Sequence, residues 1–253
     1  MIKIGCCGFP VAQARYASTL PVVEINSSFY QLPRLETAER WGKTAPAGFE
    51  FTLKAWQLIT HPPTSSSYRR LSQPIPDQRR NRYGSFLPTP EVREAWQKTL
   101  AVAQAMKASI ILLQTPATFV PTADNVANVR QFFRWAPRGS SRLAWEVRGS
   151  WSIPLLSQLC REHQIIHAVD PLKSSPVPSA LNYFRAHGAY EGRRIVANYR
   201  YSDPELKKIK EACDKPVNYV FFNNLSMFED AKRFAQLISP LPIPIRRRAL
   251  SKT

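Results

Sequence analysis

Eight short apolar runs recur along this sequence, and seven of them end on charged or amide side chains. The pattern is sharpest in VVEINSSFY, Val22 to Tyr30, where an apolar strand delivers Glu24 and Asn26 and then breaks into a polar loop. Alternate side chains of a strand point to opposite faces, so Glu24 and Asn26 share one face. A carboxylate at the end of a buried strand is costly unless it has a partner or a chemical task. The other runs repeat the device. FEFTLKAW carries Thr52 and Lys54 on one face, IILLQ stops at Gln114, and LAWEVR sets Glu146 beside Arg148. IIHAVD ends in Asp170, YFRAHG offers Arg185 and His187, and VNYVFFNN closes on Asn223 and Asn224.

Helical segments separate most of these runs: Ala12 to Thr19, Glu36 to Lys43, Pro90 to about Lys107, Thr122 to Trp135, Ser152 to Glu162, Ser202 to Cys213 and Ser226 to Ile238. Thr89-Pro90-Glu91 has an N-cap, a proline at the first helical position and an acid in the first turn. Ser226 with Glu229 reads as a capping box. Strands alternating with helices predict a parallel α/β sheet. Eight units in 253 residues are the size of a (β/α)₈ TIM barrel, whose active face lies at the C-terminal strand ends. A doubly wound open sheet also alternates, but polar residues at nearly every strand end suit the single face of a barrel better. One domain over 1–240 is expected, with a long Arg-rich loop at 57–88 between strands three and four and a basic C-terminal tail at 241–253.

Hydrophobic residues make up 44%, enough for a large core, and no run approaches the roughly 18 apolar residues of a membrane span. MIKIGCCGFP starts in a strand-like pattern without a signal peptide's apolar region, so a cytoplasmic protein with no membrane partner is expected. The four cysteines, two of them adjacent, fit neither a zinc pattern nor a disulfide framework. Lys and Arg number 35 against 18 Asp and Glu, a net +17 that favours an anionic ligand, DNA and RNA included. Arg69, Arg70, Arg79, Arg80 and Arg82 cluster in the long loop, where they suit contact with a phosphate backbone or a solvated surface equally well. Trp56, Tyr68, Tyr83, Tyr199 and Tyr201 are candidate stacking surfaces. The composition leaves the oligomeric state open.

The stretches IGCCGF, VEINSSFYQLP with the following ETAERW, FEFTLKAWQLITH, ILLQTPATF, AWEVRGSW, the aspartate of AVDP, YFRAHG and FFNN span almost the whole chain. In that order they resemble domain-of-unknown-function family 72, whose members are TIM barrels without an assigned reaction. The resemblance implies a barrel with polar strand-end residues at Glu24, Asn26, Lys54, Gln114, Glu146, Arg148, Asp170, Arg185, His187 and Asn223. Two departures stand out. Cys6 and Cys7 occupy positions where small hydroxyl residues are expected, and the arginine-rich loop looks particular to this member.

Within that ring, three carboxylates face three cations, which leaves His187 as the tunable proton carrier near neutral pH. The catalytic candidates are Glu24 or Glu146 as base, His187 as acid or base, and Asp170. Asn26, Lys54, Gln114, Arg148, Arg185 and Asn223 would hold the substrate, with arginine as a bidentate phosphate clamp. A carboxylate pair also suits glycosidic cleavage. Acids already matched by cations leave no surplus for a multi-metal site, so no cofactor is expected, a single Mg²⁺ being the one exception that the balance admits. The bland reading is a salt-bridge network that locks the barrel mouth. Two functions follow: an enzyme of hydrolase or lyase type acting on nucleic acid or on a phosphorylated or sugar substrate, or a nucleic-acid-binding protein without catalysis.

Overall fold

Each of the eight apolar runs forms a strand in the computed structural model, which describes residues 1–192 and 194–239. These are β1 (Ile2–Cys6), β2 (Val22–Ile25), β3 (Glu50–Lys54), β4 (Ile110–Thr115), β5 (Arg142–Val147), β6 (Ile166–Val169) and β7 (Asn182–Ala186). A short antiparallel hairpin of β8 (Ala189–Glu191) and β9 (Arg194–Val196) follows, and β10 (Asn218–Phe222) is the last. The first seven and β10 pair in parallel around a closed barrel, with β1 hydrogen-bonded to both β2 and β10. The barrel helices are α1 (Gln13–Ala17), α2 (Leu35–Thr44), α3 (Gln57–Thr60), α4 (Pro90–Ala105), α5 (Ala123–Trp135), α6 (Ile153–His163), α7 (Asp203–Glu211) and α8 (Met227–Ile238). Residues 171–181, carrying Pro171, Pro176 and Pro178, cross from β6 to β7 without a helix.

The period of two divides the apolar residues between two cores. Val22, Ile110, Leu112, Ala144, Ile166, Ala168, Tyr183, Tyr219 and Phe221 fill the barrel interior. Their strand neighbours of opposite parity, among them Val23, Leu53, Ile111, Trp145 and Phe222, pack outward beneath the helices. Interior residues share their parity with the polar strand-end residues, so the same face that is apolar within the barrel becomes charged at its mouth.

The segment expected as one irregular loop is ordered at its base. Its chain leaves through α3, passes two 3₁₀ turns at Ser66–Arg70 and Asp77–Arg82, and returns through Gly84, Ser85 and Phe86. These three residues have φ of 82°, 49° and 54°, in the left-handed region. A Cβ at Gly84 would sit 2.2 Å from the His61 carbonyl oxygen, so only glycine fits there. The turn is held because the three amides donate to Leu58, Thr60 and Ile59, at 2.8, 3.2 and 2.9 Å. Phe86 then inserts among Phe119, Phe132, Phe133 and Trp145.

The helix starts follow the sequence with one exchange. Thr89 caps α4 by accepting the Val92 amide at 3.3 Å. The reciprocal capping box belongs to Ser202 and Glu205 at α7, not to Ser226 and Glu229, because Glu229 turns instead to Lys232. The hairpin of β8 and β9 has no counterpart in the sequence reading, and the basic tail at 241–253 lies outside the described residues. Among the described residues, no helix is long and apolar enough to cross a membrane.

Phe86→Ala should cost about 3–5 kcal/mol in equilibrium denaturation, since it empties a buried aromatic cluster and unpins strained backbone. A loss below about 1 kcal/mol would show that the return of the loop is anchored elsewhere.

Candidate functional site

Arg185, from the interior face of β7, has no exposed surface. A buried guanidinium must be both neutralised and hydrogen-bonded, and two strands across the barrel supply the acids. Its Nε and one terminal nitrogen donate to the two oxygens of Glu24 at 3.0 and 2.7 Å, a bidentate pair. The other terminal nitrogen donates to Glu146 Oε2. Asn26 Oδ1 and Cys7 Sγ lie at 3.4 and 3.5 Å from the Glu24-facing nitrogen. Below, the Tyr183 hydroxyl donates to Glu24 at 2.8 Å and accepts from Thr52 at 2.9 Å. Burial pushes the Glu146 carboxyl up, but Arg185 and Arg148 outweigh it and hold the group well below its ordinary value of 4.5.

Glu146 also organises the histidine. Its Oε1 accepts from Arg148 Nε at 3.0 Å and lies 3.1 Å from His187 Nε2. With the Asn223 amide donating to His187 Nδ1 at 3.0 Å, the Nε2–H tautomer satisfies both neighbours. Burial lowers the pKa of this imidazole despite Glu146, so the ring is neutral at neutral pH. The expected proton carrier is therefore a fixed hydrogen-bond donor. Arg148 keeps one terminal nitrogen 3.3 Å from His187 Nε2, which in this tautomer offers it no lone pair.

Asp170 is tied to backbone. Its two oxygens accept the amides of Leu172 at 3.0 Å and His187 at 3.1 Å, joining the end of β6 to the end of β7, and burial raises its pKa. Lys54 donates to Gln114 Oε1 at 2.9 Å, and its Nζ stands 4.0 Å from the centre of the Phe29 ring. Burial, then the field of Arg185, brings this lysine down to about 7. His61, beside it at the end of α3, is pushed down to about 3 by burial and by Lys54.

A cavity of about 740 Å³ opens at the C-terminal ends of β4 to β7. Its walls include His61, Gln114, Glu146, Arg148, Asp170, His187, and two residues from the connections after β6 and β7, Lys173 and Tyr190. Of the ten residues expected at strand ends, Gln114, Glu146, Arg148, Asp170 and His187 line it. Lys54, 6% exposed, meets that wall through its hydrogen bond to Gln114, while Glu24 and Arg185 have no exposed surface. The five loop arginines do not line it. Arg70 stacks on Tyr30 at 3.5 Å, Arg80 pairs with Asp77, and Arg82 pairs with Glu91. Of the stacking candidates, Tyr201 is buried, its hydroxyl accepting the Gly188 amide at 2.6 Å. Tyr183 was missed, although its parity with Arg185 places it directly beneath. Lys173 and Tyr190 carry no periodic signal and were missed for that reason.

A family model described as "Protein of unknown function DUF72" matches residues 13–247. The chain belongs to the DUF72 family. It is 25% identical to the UPF0759 protein YunF of Bacillus subtilis (strain 168), over 90% of this chain and 86% of that one. A DUF72 family protein of Enterococcus faecalis V583, known from its crystal structure, matches with TM-score 0.68 and 24% identity, over 96% of this chain and 98% of that one. Endonuclease IV from Thermus thermophilus matches with TM-score 0.57 and 8% identity, over 93% and 99%, a likeness of fold alone. The family and the barrel expected from the motifs are both found.

In this DUF72 barrel the donor set is arginine-rich. Among the described residues no group of three or more His, Cys, Asp or Glu side chains is placed to hold a metal ion. Glu24 and Glu146 are instead bound to Arg185.

Arg185→Met leaves two carboxylates facing each other in the interior, and should cost about 3–5 kcal/mol at pH 7. Glu146 has a depressed folded pKa in the parent, so its stabilisation is present above pH 4.5 and is lost as the pH falls below that. Without Arg185 burial raises the same pKa, so the gap between variant and parent should narrow on acidification toward pH 4.5. A gap that stays constant from pH 7 to pH 4.5 in urea melts would contradict this account.

Proposed function

We propose that this protein is an enzyme that takes a small phosphate-bearing substrate into the barrel mouth, with chemistry of hydrolase or lyase type. One observation carries the reading: donors without acceptors converge on the cavity, while its acceptors are already used. Arg148 spends its Nε on Glu146 and leaves a terminal nitrogen with no hydrogen bond among the described residues, its side chain 34% exposed. Among the described residues, Lys173 has only the Tyr190 ring, 4.5 Å from its Nζ, and Gln114 Nε2 is buried without a partner. Opposite them, Glu146 and Asp170 have each oxygen occupied. A ligand that fills this space must bring hydrogen-bond acceptors, as a phosphate does.

The barrel supports the reading in a second way. Arg185, Glu24, Glu146 and His187 form a rigid, hydrogen-bonded floor, and positioned groups on strands hold a substrate more accurately than groups on loops.

The other reading, a nucleic-acid-binding protein without catalysis, rests on the net charge of +17. The loop argues against it, because Arg70, Arg80 and Arg82 already have partners, which leaves Arg69 and Arg79 free among the described residues of that cluster. A backbone-gripping surface would give a log–log salt slope near −0.9 per phosphate contacted. The slope for duplex DNA should be shallower than about −3, whereas a slope steeper than about −5 near physiological salt would favour the binding protein.

Inorganic phosphate titrated by calorimetry tests the preferred reading. Arg148→Ala and Lys173→Ala should each weaken binding about tenfold, in keeping with roughly 1.5–3 kcal/mol for a hydrogen bond to a charged group. Affinity unchanged in both variants would remove the mouth as the anion site.

A further inference from the structure

Two lysines point into this barrel, and they are treated differently. At the N-terminal end Lys3 is ion-paired with Glu50, whose other oxygen accepts from Tyr219 at 2.8 Å. That is how a structural lysine is accommodated in a protein interior. At the C-terminal end Lys54, 6% exposed, has no carboxylate within ion-pair distance among the described residues. Its one hydrogen bond goes to the neutral oxygen of Gln114, and its other neighbour is an aromatic face. The charged groups whose fields reach it are Arg185 from β7, Arg148 at the end of β5, and the two acids Glu24 and Glu146 that Arg185 already binds, with His61 near it after α3. An ammonium with three protons, one acceptor and two guanidinium neighbours in the same field is disfavoured against the free amine. The lysine's fall to about 7 agrees with that geometry.

A desolvated amine beside fixed cations is a nucleophile at neutral pH. We infer that Lys54 forms an imine with the aldehyde or ketone carbonyl of a phosphate-bearing substrate, whose phosphate is held by Arg148 and Lys173. The inference rests on the reading of the mouth as a phosphate site and specifies its substrate as a carbonyl compound. The Nζ lone pair adds to the carbonyl carbon to give a carbinolamine. The carbonyl oxygen then leaves as water with both amine hydrogens, so no oxidant or reductant enters. Gln114 belongs to the same step. It orients the amine through Oε1, forms part of the cavity wall, and has a buried Nε2 donor, without a partner among the described residues, that suits the carbonyl oxygen. An imine draws electrons from the neighbouring bond, which favours lyase over hydrolase chemistry.

Pyridoxal 5′-phosphate, an aldehyde carrying a phosphate, is the probe. The full-length protein is incubated with it from pH 6 to 10, reduced with borohydride, and mapped by peptide mass spectrometry. Lys54 should be labelled at concentrations at least tenfold below those that label other lysines. Its labelling should rise through pH 7, whereas exposed lysines follow a pKa near 10.4. Inorganic phosphate should compete, Arg148→Ala should raise the required concentration about tenfold, and Lys54→Arg should abolish that adduct while keeping the parent's melting temperature within a few degrees. Two failures are distinguishable. If other lysines are labelled but Lys54 stays unmodified in both the parent and Gln114→Ala, while phosphate still binds at the mouth, Lys54 is structural and the imine is overturned alone. If Lys54 is labelled without phosphate competition or any effect of Arg148→Ala, the phosphate half falls together with the reading beneath it.

Discussion

The rest of the mouth depends on one buried guanidinium. Arg185 reaches from β7 to Glu24 on β2 and Glu146 on β5, with no exposed surface of its own. A planar fork suits this task in a way an ammonium does not, because one edge takes a carboxylate side-on while the remaining nitrogen takes a second. Three strands that are not neighbours in the ring are thereby fixed relative to one another. Desolvating three ions is costly, and such a triad is weak evidence for stability in itself. Its effect is on position and charge: it gives both acids a cationic partner and Glu146 a fixed orientation toward His187.

From that constraint the character of the cavity follows. Once Glu24 and Glu146 are matched by Arg185, Arg148 has a carboxylate for one nitrogen only, and Lys173 lies too far out to share any. Asp170, the third acid, is occupied by two backbone amides. The formal charges at the mouth balance, yet the hydrogen-bond donors do not. An excess of donors over acceptors in a concave site selects an acceptor-rich ligand, whatever the net charge of the protein. The large positive charge of the whole chain is therefore a poorer guide to the ligand than these few side chains.

Much of this was legible in the sequence, and for a definite reason. Strand parity needs no tertiary information, so Glu24, Lys54, Gln114, Glu146, Arg185 and His187 could be assigned to one face and one end before any fold was known. Partner choice could not be read this way. Pairing Arg185 with both Glu24 and Glu146 requires the closed ring and its register, which lie in long-range contacts. Parity also predicted equal standing for three acids and three cations, whereas burial separates them. Asp170 serves backbone, His187 is neutral, and Lys54 is the group brought nearest to pH 7. Lys173 and Tyr190 sit in connections with no period, and the left-handed return at Gly84, Ser85 and Phe86 carries only its glycine as a signal.

The exchange of roles between His187 and Lys54 has a common cause in the placement of acids and cations. Histidine holds a proton when an acid neighbours it and water can solvate it. His187 has the acid but not the water, and two arginines act against the charge. Lys54 has neither an acid in contact nor water, so the same burial acts on a group whose ordinary value of 10.5 lies far above neutrality. Lowering this histidine leaves an uncharged ring whose one lone pair is taken by Asn223, while lowering the lysine to about 7 frees part of its amine at neutral pH. The interior that silences the expected proton carrier is thus what turns the lysine of β3 into a nucleophile.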